Sequence, residues 1–571
     1  MDSMARGSRV LCPTPFVVLA LSLCLALAMD GCSGKRKRPK YVPGAAAKVL
    51  NVEMAAIPPA IAARVDSGAR PDWVTKDGWT RVAALYRSYN NAPLWLEEGG
   101  AKERATALLE AIRSAPDHGL DTAAYPVAAL QSVVDAKRMT DTASASTIAD
   151  ADVLLTSAYV AYASDMLIGQ VDPKKVSQNW HTGSGVNERD SSVVRALQDG
   201  DMAEALALMA PQDADYAALK QAYARYRQIA AAGGWALVTE SMSEADLLAA
   251  VHARHVPEMS DSTADSSDAR AALGSVSESA TATALDSVSE AANARRAARS
   301  PLAAELVRFQ THHGLSATAK LDVETRAALN ISAESRVQQL AANMERHRWL
   351  PRTLGTRYIY VNVPSFRLDA YDSGQKTLSM RVVVGEEYEG RTTPTFSDSM
   401  ETAVFRPYWN VTPDIQRLEV GPKARNNPGW LASQNMEYWK DGGVTRIRQR
   451  PGDKNALGLV KFLFPNSFNI YLHDTPAKSL FAKDDRAASH GCIRLERPAE
   501  LAQWVLGWDA ERVQAAMNGD ADNRSVKLSQ KTPVYIVYFT AYLRDGALNF
   551  ADDVYGRDEA LEKQITAAAS E

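Results

Sequence analysis

The sequence predicts a multidomain chain with an α-helical N-terminal scaffold, a small second helical domain, and a mostly β C-terminal domain carrying a lid insertion. Three observations lead there. The chain has 571 residues, too many for one hydrophobic core. Its apolar residues recur at three- and four-residue spacing in the first half and shift to strand-like runs from Arg357 onward. Between the halves, residues 257–300 lose almost all aromatics and become rich in Ser, Ala, Asp, Glu and Thr.

The first 31 residues read as an export signal. Arg6 and Arg9 form a basic start, and the run from Phe16 to Met29 is apolar but short for a spanning helix. Two processing sites compete. Met29-Asp30-Gly31-Cys32 resembles a bacterial lipobox with Cys32 as the acylated residue, although Asp30 fits it poorly; Ala26-Leu27-Ala28 suits ordinary cleavage after Ala28. The lipobox is the favoured reading. It places the mature protein in the periplasm, meeting the membrane only through a lipid anchor. Residues 32–75 begin with the basic run Lys35 to Lys40, turn Ala/Pro-rich, and are expected to be a linker.

Residues 76–235 are expected to form the helical scaffold. Ile148 to Leu167, Met202 to Met209 and Tyr216 to Ile229 have helical periodicity, and Ala115-Pro116-Asp117-His118-Gly119 is a turn cluster. Residues 236–335 form the second unit, with 257–300 as a low-complexity insertion that cannot bury enough apolar surface to offset its ordering entropy. Asp322 or Thr325 is suited to cap its last helix. His312 and His313 sit on a turn without further metal ligands at suitable spacing. Residues 336–355 are expected to be a connecting helix.

Residues 356–545 hold the β domain. Strand-like runs occur at 358–363, 366–371, 378–384, 402–405, 459–464, 468–472 and 534–538, with helices at 498–506 and 510–517. The Gly/Pro/Asn-rich stretch 414–458 is expected to be a lid over a cleft. Residues 546–571 are expected to be a tail.

Net charge is −4, from 64 basic and 68 acidic residues, which gives no reason to expect a nucleic-acid partner. The four cysteines are more telling. Cys12 and Cys24 lie inside the signal and Cys32 sits at its end, so Cys492 is the one cysteine of the folded body. An exported protein usually pairs its cysteines, and a leftover one is a candidate reactive thiol. Its neighbours favour that reading over a small buried hydrophobe. His473 lies 19 residues upstream and His490 two residues upstream, in Ser489-His490-Gly491-Cys492. Imidazole can lower a thiol's pKa and take its proton. Gly491 permits close backbone approach, so main-chain N–H groups there can face an oxyanion.

These residues match a family pattern. His473, a 15-residue gap and Ser489-His490-Gly491-Cys492 resemble the signature of the YkuD-type L,D-transpeptidase domain. The resemblance extends through Arg357 to Pro364, Pro407-Tyr408-Trp409-Asn410-Val411, Arg448 to Gly452, Asn455 to Gly458 and Phe464-Pro465-Asn466, as in the larger Gram-negative members. Arg494 stands where smaller members carry Asn; larger members tend to have Arg. In the second helical unit, Phe309-Gln310, Gly314-Leu315 and Leu321-Asp322 to Asn330 resemble a helical peptidoglycan-binding domain.

The resemblance implies a cysteine acyltransferase without a cofactor, whose partners are peptidoglycan stem peptides and carbapenem inhibitors. Cys492 would be the nucleophile and His473 the general base, oriented by a backbone carbonyl near Asp474. Ser489 and His490 would shape the site, and the backbone N–H groups of Gly491 and Cys492 would hold the oxyanion. Arg494 and Tyr471 would bind the anionic stem, a guanidinium suiting a carboxylate, and Trp409 would wall the cleft or serve in a core. The implied reaction forms 3→3 cross-links from tetrapeptide stems, with L,D-carboxypeptidase action or lipoprotein tethering as variants that differ in acceptor. Three rival readings compete. A zinc site lacks a second ligand pair and has His490 and Cys492 too close together. A cysteine protease lacks its family signatures. A non-catalytic wall-binding scaffold would not need the His473/Cys492 pair.

Overall fold

The computed structural model describes residues 41–101, 103–135, 143–181, 186–254, 300–387, 390–427 and 429–570. The export signal with Cys12 and Cys24, the lipidation candidate Cys32, the basic run and all but the last residue of the 257–300 insertion lie outside the described residues.

The N-terminal domain is helical and built around Ala145–Ile168, which is buried on most of its circumference. Its start is fixed by a capping box between Ser144 and Thr147. Asp152 on that helix accepts N–H bonds from Leu94, Trp95 and Leu96 at 2.8–3.0 Å, so an internal carboxylate ties down an extended segment. The linker expected over 32–75 is corrected in its second half. Ile57–Asp66 is a helix whose Ile57, Ile61 and Val65 enter the scaffold core. These three apolar residues at four-residue spacing outweigh the Ala/Pro-rich composition that suggested a tether.

The small domain packs Glu244–Arg254, Pro301–His312 and Val323–Leu329 around Val251, Leu306, Phe309 and Leu329. Asp322 is the N-cap of the last helix, accepting from Thr325 N–H at 2.8 Å. The Thr325 hydroxyl instead meets the buried Gln310 amide at 2.8 Å. His313 lies between Phe309 and Phe550, with ring centroids at 3.7 and 5.3 Å, which docks this domain on the C-terminal region.

The β domain is a mixed sheet of nine strands: β1 Arg357–Asn362, β2 Arg367–Asp372, β3 Gln375–Gly385, β4 Phe396–Phe405, β5 Val460–Leu463, β6 Leu472–His473, β7 Ala487–Ser489, β8 Ile493–Leu495 and β9 Arg524–Val537. The order is β7-β3-β8-β6-β5-β4-β9-β1-β2, and β2 pairs again with β3, so the sheet closes on itself. Alternation along these strands sends Ile359, Val361, Leu368, Val382, Phe462 and Ile493 into one core, covered by Pro498–Leu506 and Ala510–Asn518. The run expected as a strand at 468–472 pairs only from Leu472, because the Asn466 side chain accepts from Phe468 and Ile470 N–H and curls the backbone into a loop.

One further expectation changes. The tail is integral: Ala547–Phe550 pairs with Ala541–Arg544, and the Arg557–Ser570 helix places Leu561 in the sheet core. The lid is an ordered unit with its own small core of Val411, Val420, Ala424, Leu431 and Ile447. It joins short helical turns to a three-stranded sheet of Trp409–Asn410, Met436–Asp441 and Val444–Gln449.

Candidate active site

Strands β6 and β8 run parallel, with Leu472 opposite Ile493 and His473 opposite Arg494. Leu472 and Ile493 are fully buried in the sheet core. A period of two then puts Tyr471, His473, Cys492 and Arg494 together on the other face. Tyr471 and Cys492 are cross-strand neighbours, with Ile493 N–H bonded to the Tyr471 carbonyl at 3.2 Å. His473 is therefore a diagonal neighbour of Cys492.

His473 is buried, and its Nδ1 lies 2.5 Å from the Asp474 carbonyl oxygen. A carbonyl only accepts, so Nδ1 carries the hydrogen and Nε2 keeps the lone pair. Across the sheet, Lys461 faces His473 from β5 while Arg494 faces it from β8. Burial, with help from Arg494 and Lys461, pushes the imidazole down to about 3. It is a neutral base.

Cys492 is partly exposed, and its sulfur is 3.6 Å from the Asn469 carbonyl. Burial pushes the thiol up to about 11, against hydrogen bonds from the Tyr471 N–H and hydroxyl and the charges of Arg494 and Lys461. That direction is opposite to the lowering expected from the neighbouring histidines. Burial wins, and the resting pair is thiol and neutral imidazole.

The turn before the nucleophile is tight. Ser489 Oγ donates to the Cys492 carbonyl at 2.6 Å and accepts from Gly491 N–H at 3.1 Å. The Gly491 N–H expected at an oxyanion is therefore held inside the turn. Gly491 has φ +107°, which a side chain rarely adopts, and its carbonyl accepts from Thr393 Oγ1 at 2.8 Å. Gly385 N–H donates to the same hydroxyl at 2.9 Å. Gly385 itself passes so near the Arg391 carbonyl that a Cβ would fall 1.9 Å from it. The 391–393 segment thus forms part of the floor around Cys492.

The scaffold reaches this rim. Asn179 Nδ2 bonds Thr392 Oγ1 at 3.1 Å, Trp180 bridges to Thr395, and His181 packs on Phe468 at 4.4 Å between ring centroids. The lid closes the other side. His490 Nε2 lies 2.7 Å from Glu419 Oε1, and Arg391 bonds the same oxygen at 2.8 Å. Glu386 takes the second arm of Arg391 at 3.1 Å.

Of the sequence-predicted residues, Cys492, His473, His490, Ser489, Gly491, Arg494 and Tyr471 gather here. Tyr471 sits against the sulfur. Trp409 is half-buried against the lid's own core. Sequence reasoning missed Lys461, Arg391, Thr393 and Glu419. Only the β5 register exposes Lys461, and no local signal marks Glu419 or Thr393, whose partners His490 and Gly491 lie 71 and 98 positions away. Among the described residues, no three His, Cys, Asp or Glu side chains form a group able to hold a metal ion, and no helix is long and apolar enough to cross a membrane.

Known proteins resemble both halves of the chain. A family described as an L,D-transpeptidase catalytic domain (YkuD) matches residues 356–536, and one described as a scaffold domain matches residues 80–222. A Haemophilus influenzae protein, provisionally described as an L,D-transpeptidase, is 32% identical over 251 residues, covering 40% of this chain. The match spans half, 50%, of that relative's length. Among solved structures, the Ldtfm–avibactam carbamoyl enzyme is 12% identical with a TM-score of 0.15, covering 33% of this chain and 51% of its own. An L,D-transpeptidase from Xylanimonas cellulosilytica is 15% identical with a TM-score of 0.17, covering 41% and 78%. Neither likeness is close enough to bear on the site.

Proposed function

We propose that this chain, whose residues 356–536 match a family described as an L,D-transpeptidase catalytic domain and whose residues 80–222 match one described as a scaffold domain, is an exported enzyme that cross-links peptidoglycan stems through a Cys492 thioester. The observation that carries this reading is the placement of Cys492 and His473 on one face of adjacent parallel strands, with the His473 lone pair fixed on Nε2.

In the first step, Cys492 Sγ attacks the carbonyl of the third residue in a tetrapeptide stem while His473 Nε2 takes the thiol proton. The amide C–N bond breaks, His473 returns the proton to the leaving amine, and D-Ala departs. In the second step, a side-chain amine of another stem attacks the thioester and gives a proton to His473. Cys492 leaves as the thiol and a 3→3 cross-link remains. No cofactor is needed. Because the thiol rests protonated, proton transfer accompanies attack and no standing thiolate is required. A water-poor site beneath the lid would favour amine over water as acceptor. The small helical domain would hold the wall, and an anchor at Cys32 would keep the protein at the membrane.

The test is intact-mass spectrometry after incubation with a carbapenem or a tetrapeptide stem, beside Cys492→Ala. A one-to-one adduct on wild type alone, with cross-linked dimer from the stem, supports the reading. Release of D-Ala without dimer would make the enzyme an L,D-carboxypeptidase. A well-folded wild type that gives neither adduct nor product would refute catalysis.

A further inference from the structure

The contact between Glu419 and the residues beside Cys492 has an unusual composition. Its two donors belong to the floor and its one acceptor to the lid. His490 is two residues from the nucleophile, in a turn fixed by Ser489 and Thr393. Arg391 is anchored beside that turn, where its carbonyl lies 3.5 Å from the point a Cβ on Gly491 would occupy. Both donors converge on Glu419 Oε1, at 2.7 and 2.8 Å. Glu419 itself projects from a π-helical turn, Gln416–Val420, an element that strains a helix and recurs at functional positions. Burial pushes its carboxyl up, but the His490 hydrogen bond and the charges of Arg391 and Lys423 outweigh this and hold it below the ordinary carboxylate range.

A guanidinium and an imidazole N–H fixed beside a nucleophile make a cradle for one carboxylate. An acyl donor ending in D-Ala carries such a group two bonds beyond the amide nitrogen that Cys492 would release. The lid supplies a carboxylate of the same kind from within the chain.

We propose that Arg391 and His490 are the carboxylate subsite of the acyl-donor groove, and that Glu419 occupies it from the lid until a substrate carboxylate displaces it. The inference rests on the acyl-transfer reading above and adds to it the residues that recognise the donor and the contact that holds the lid shut. Lid opening and donor binding are then one exchange of carboxylates on a fixed pair of donors.

The test compares two reagents on Cys492: a carbapenem, which carries a carboxylate, and neutral iodoacetamide. Second-order rate constants are read by intact mass in wild type, Glu419→Gln and Arg391→Gln, with Arg391→Lys as a milder second variant. Glu419→Gln removes the competitor, so carbapenem acylation rises about fivefold or more while iodoacetamide alkylation changes less than about twofold. Arg391→Gln lowers carbapenem acylation about tenfold, with a smaller loss for Arg391→Lys. An equal rise for both reagents in Glu419→Gln would overturn the subsite and leave Glu419 a steric bolt; unchanged rates would overturn it too. If wild type forms no thioester yet is alkylated readily, the acyl-transfer reading fails by itself. The subsite is then read from N-acetyl-D-alanine slowing alkylation more strongly in Glu419→Gln than in wild type, and equal or absent protection overturns it.

Discussion

His473 gives its Nδ1–H to the backbone carbonyl of the very next residue, Asp474, at 2.5 Å. A main-chain acceptor cannot rotate away or take up a proton, so the imidazole tautomer is set by the chain itself. The Asp474 carboxylate helps hold that carbonyl, accepting from Leu459 N–H at 2.9 Å, from Thr475 N–H at 2.7 Å and from Lys478 Nζ at 2.8 Å.

The pH dependence follows from the two shifted groups. Cys492 is raised to about 11, so only a small thiolate fraction exists at neutral pH, and iodoacetamide alkylation rises through pH 9 instead of levelling there. His473 is lowered to about 3, so base function is lost only as pH falls toward that value, well below the usual histidine range. Thioester formation is therefore flat across neutral pH, and His473→Gln lowers it by about 100-fold or more. A rate–pH profile by intact mass checks all three; a plateau of alkylation near pH 8 would mean a preformed thiolate.

Gly458→Ala disturbs the base from a distance. Gly458 has φ +59°, and a Cβ there would lie 2.3 Å from the Asp474 carboxylate. The strained backbone alone costs about 1–2 kcal/mol, and the displaced Asp474 moves the carbonyl that holds His473. The expected result is a lower melting temperature together with slower acylation. Loss of stability with unchanged acylation would separate Asp474 from the base.

Asp558→Ala tests the integral C-terminal helix. Arg346 is fully buried and its guanidinium meets Asp558 at 2.5 Å, while Asp558 also accepts from the Thr540 hydroxyl at 2.7 Å. Removing the carboxylate strands a buried cation, at a cost of about 3 kcal/mol or more. Calorimetry should show the β domain melting earlier. An unchanged transition would return residues 546–571 to the role of a tail.

Ile61→Ala tests the corrected linker. Ile61 is fully buried in the scaffold core, and truncation there should cost about 2–5 kcal/mol. Chemical denaturation of the full chain reads it. A tether would show no effect.

Much of the fold was legible because it is periodic. The shift to strand-like runs at Arg357 marked the start of the β domain, and Ile57, Ile61 and Val65 carried a helical signal that composition obscured. Other parts were not legible for equally physical reasons. The 468–472 run looks like a strand, but Asn466 captures its N–H groups first. The lid hairpin Met436–Gln449 lies in a stretch whose Gly, Pro and Asn content suggested only a loop, yet it pairs over six residues.

The sequence by itself determined which residues could do chemistry. Cys492 is the lone cysteine of the folded body, and His473 and His490 lie 19 and two positions before it. Those are properties of spacing, and spacing survives in one dimension. Only the tertiary structure decided the state of those groups. Burial and the flanking Lys461 and Arg494 keep His473 neutral, burial keeps Cys492 a thiol, and Glu419 arrives at His490 from 71 residues away. Charge and solvation act through space, so they depend on neighbours that the order of residues along the chain does not disclose.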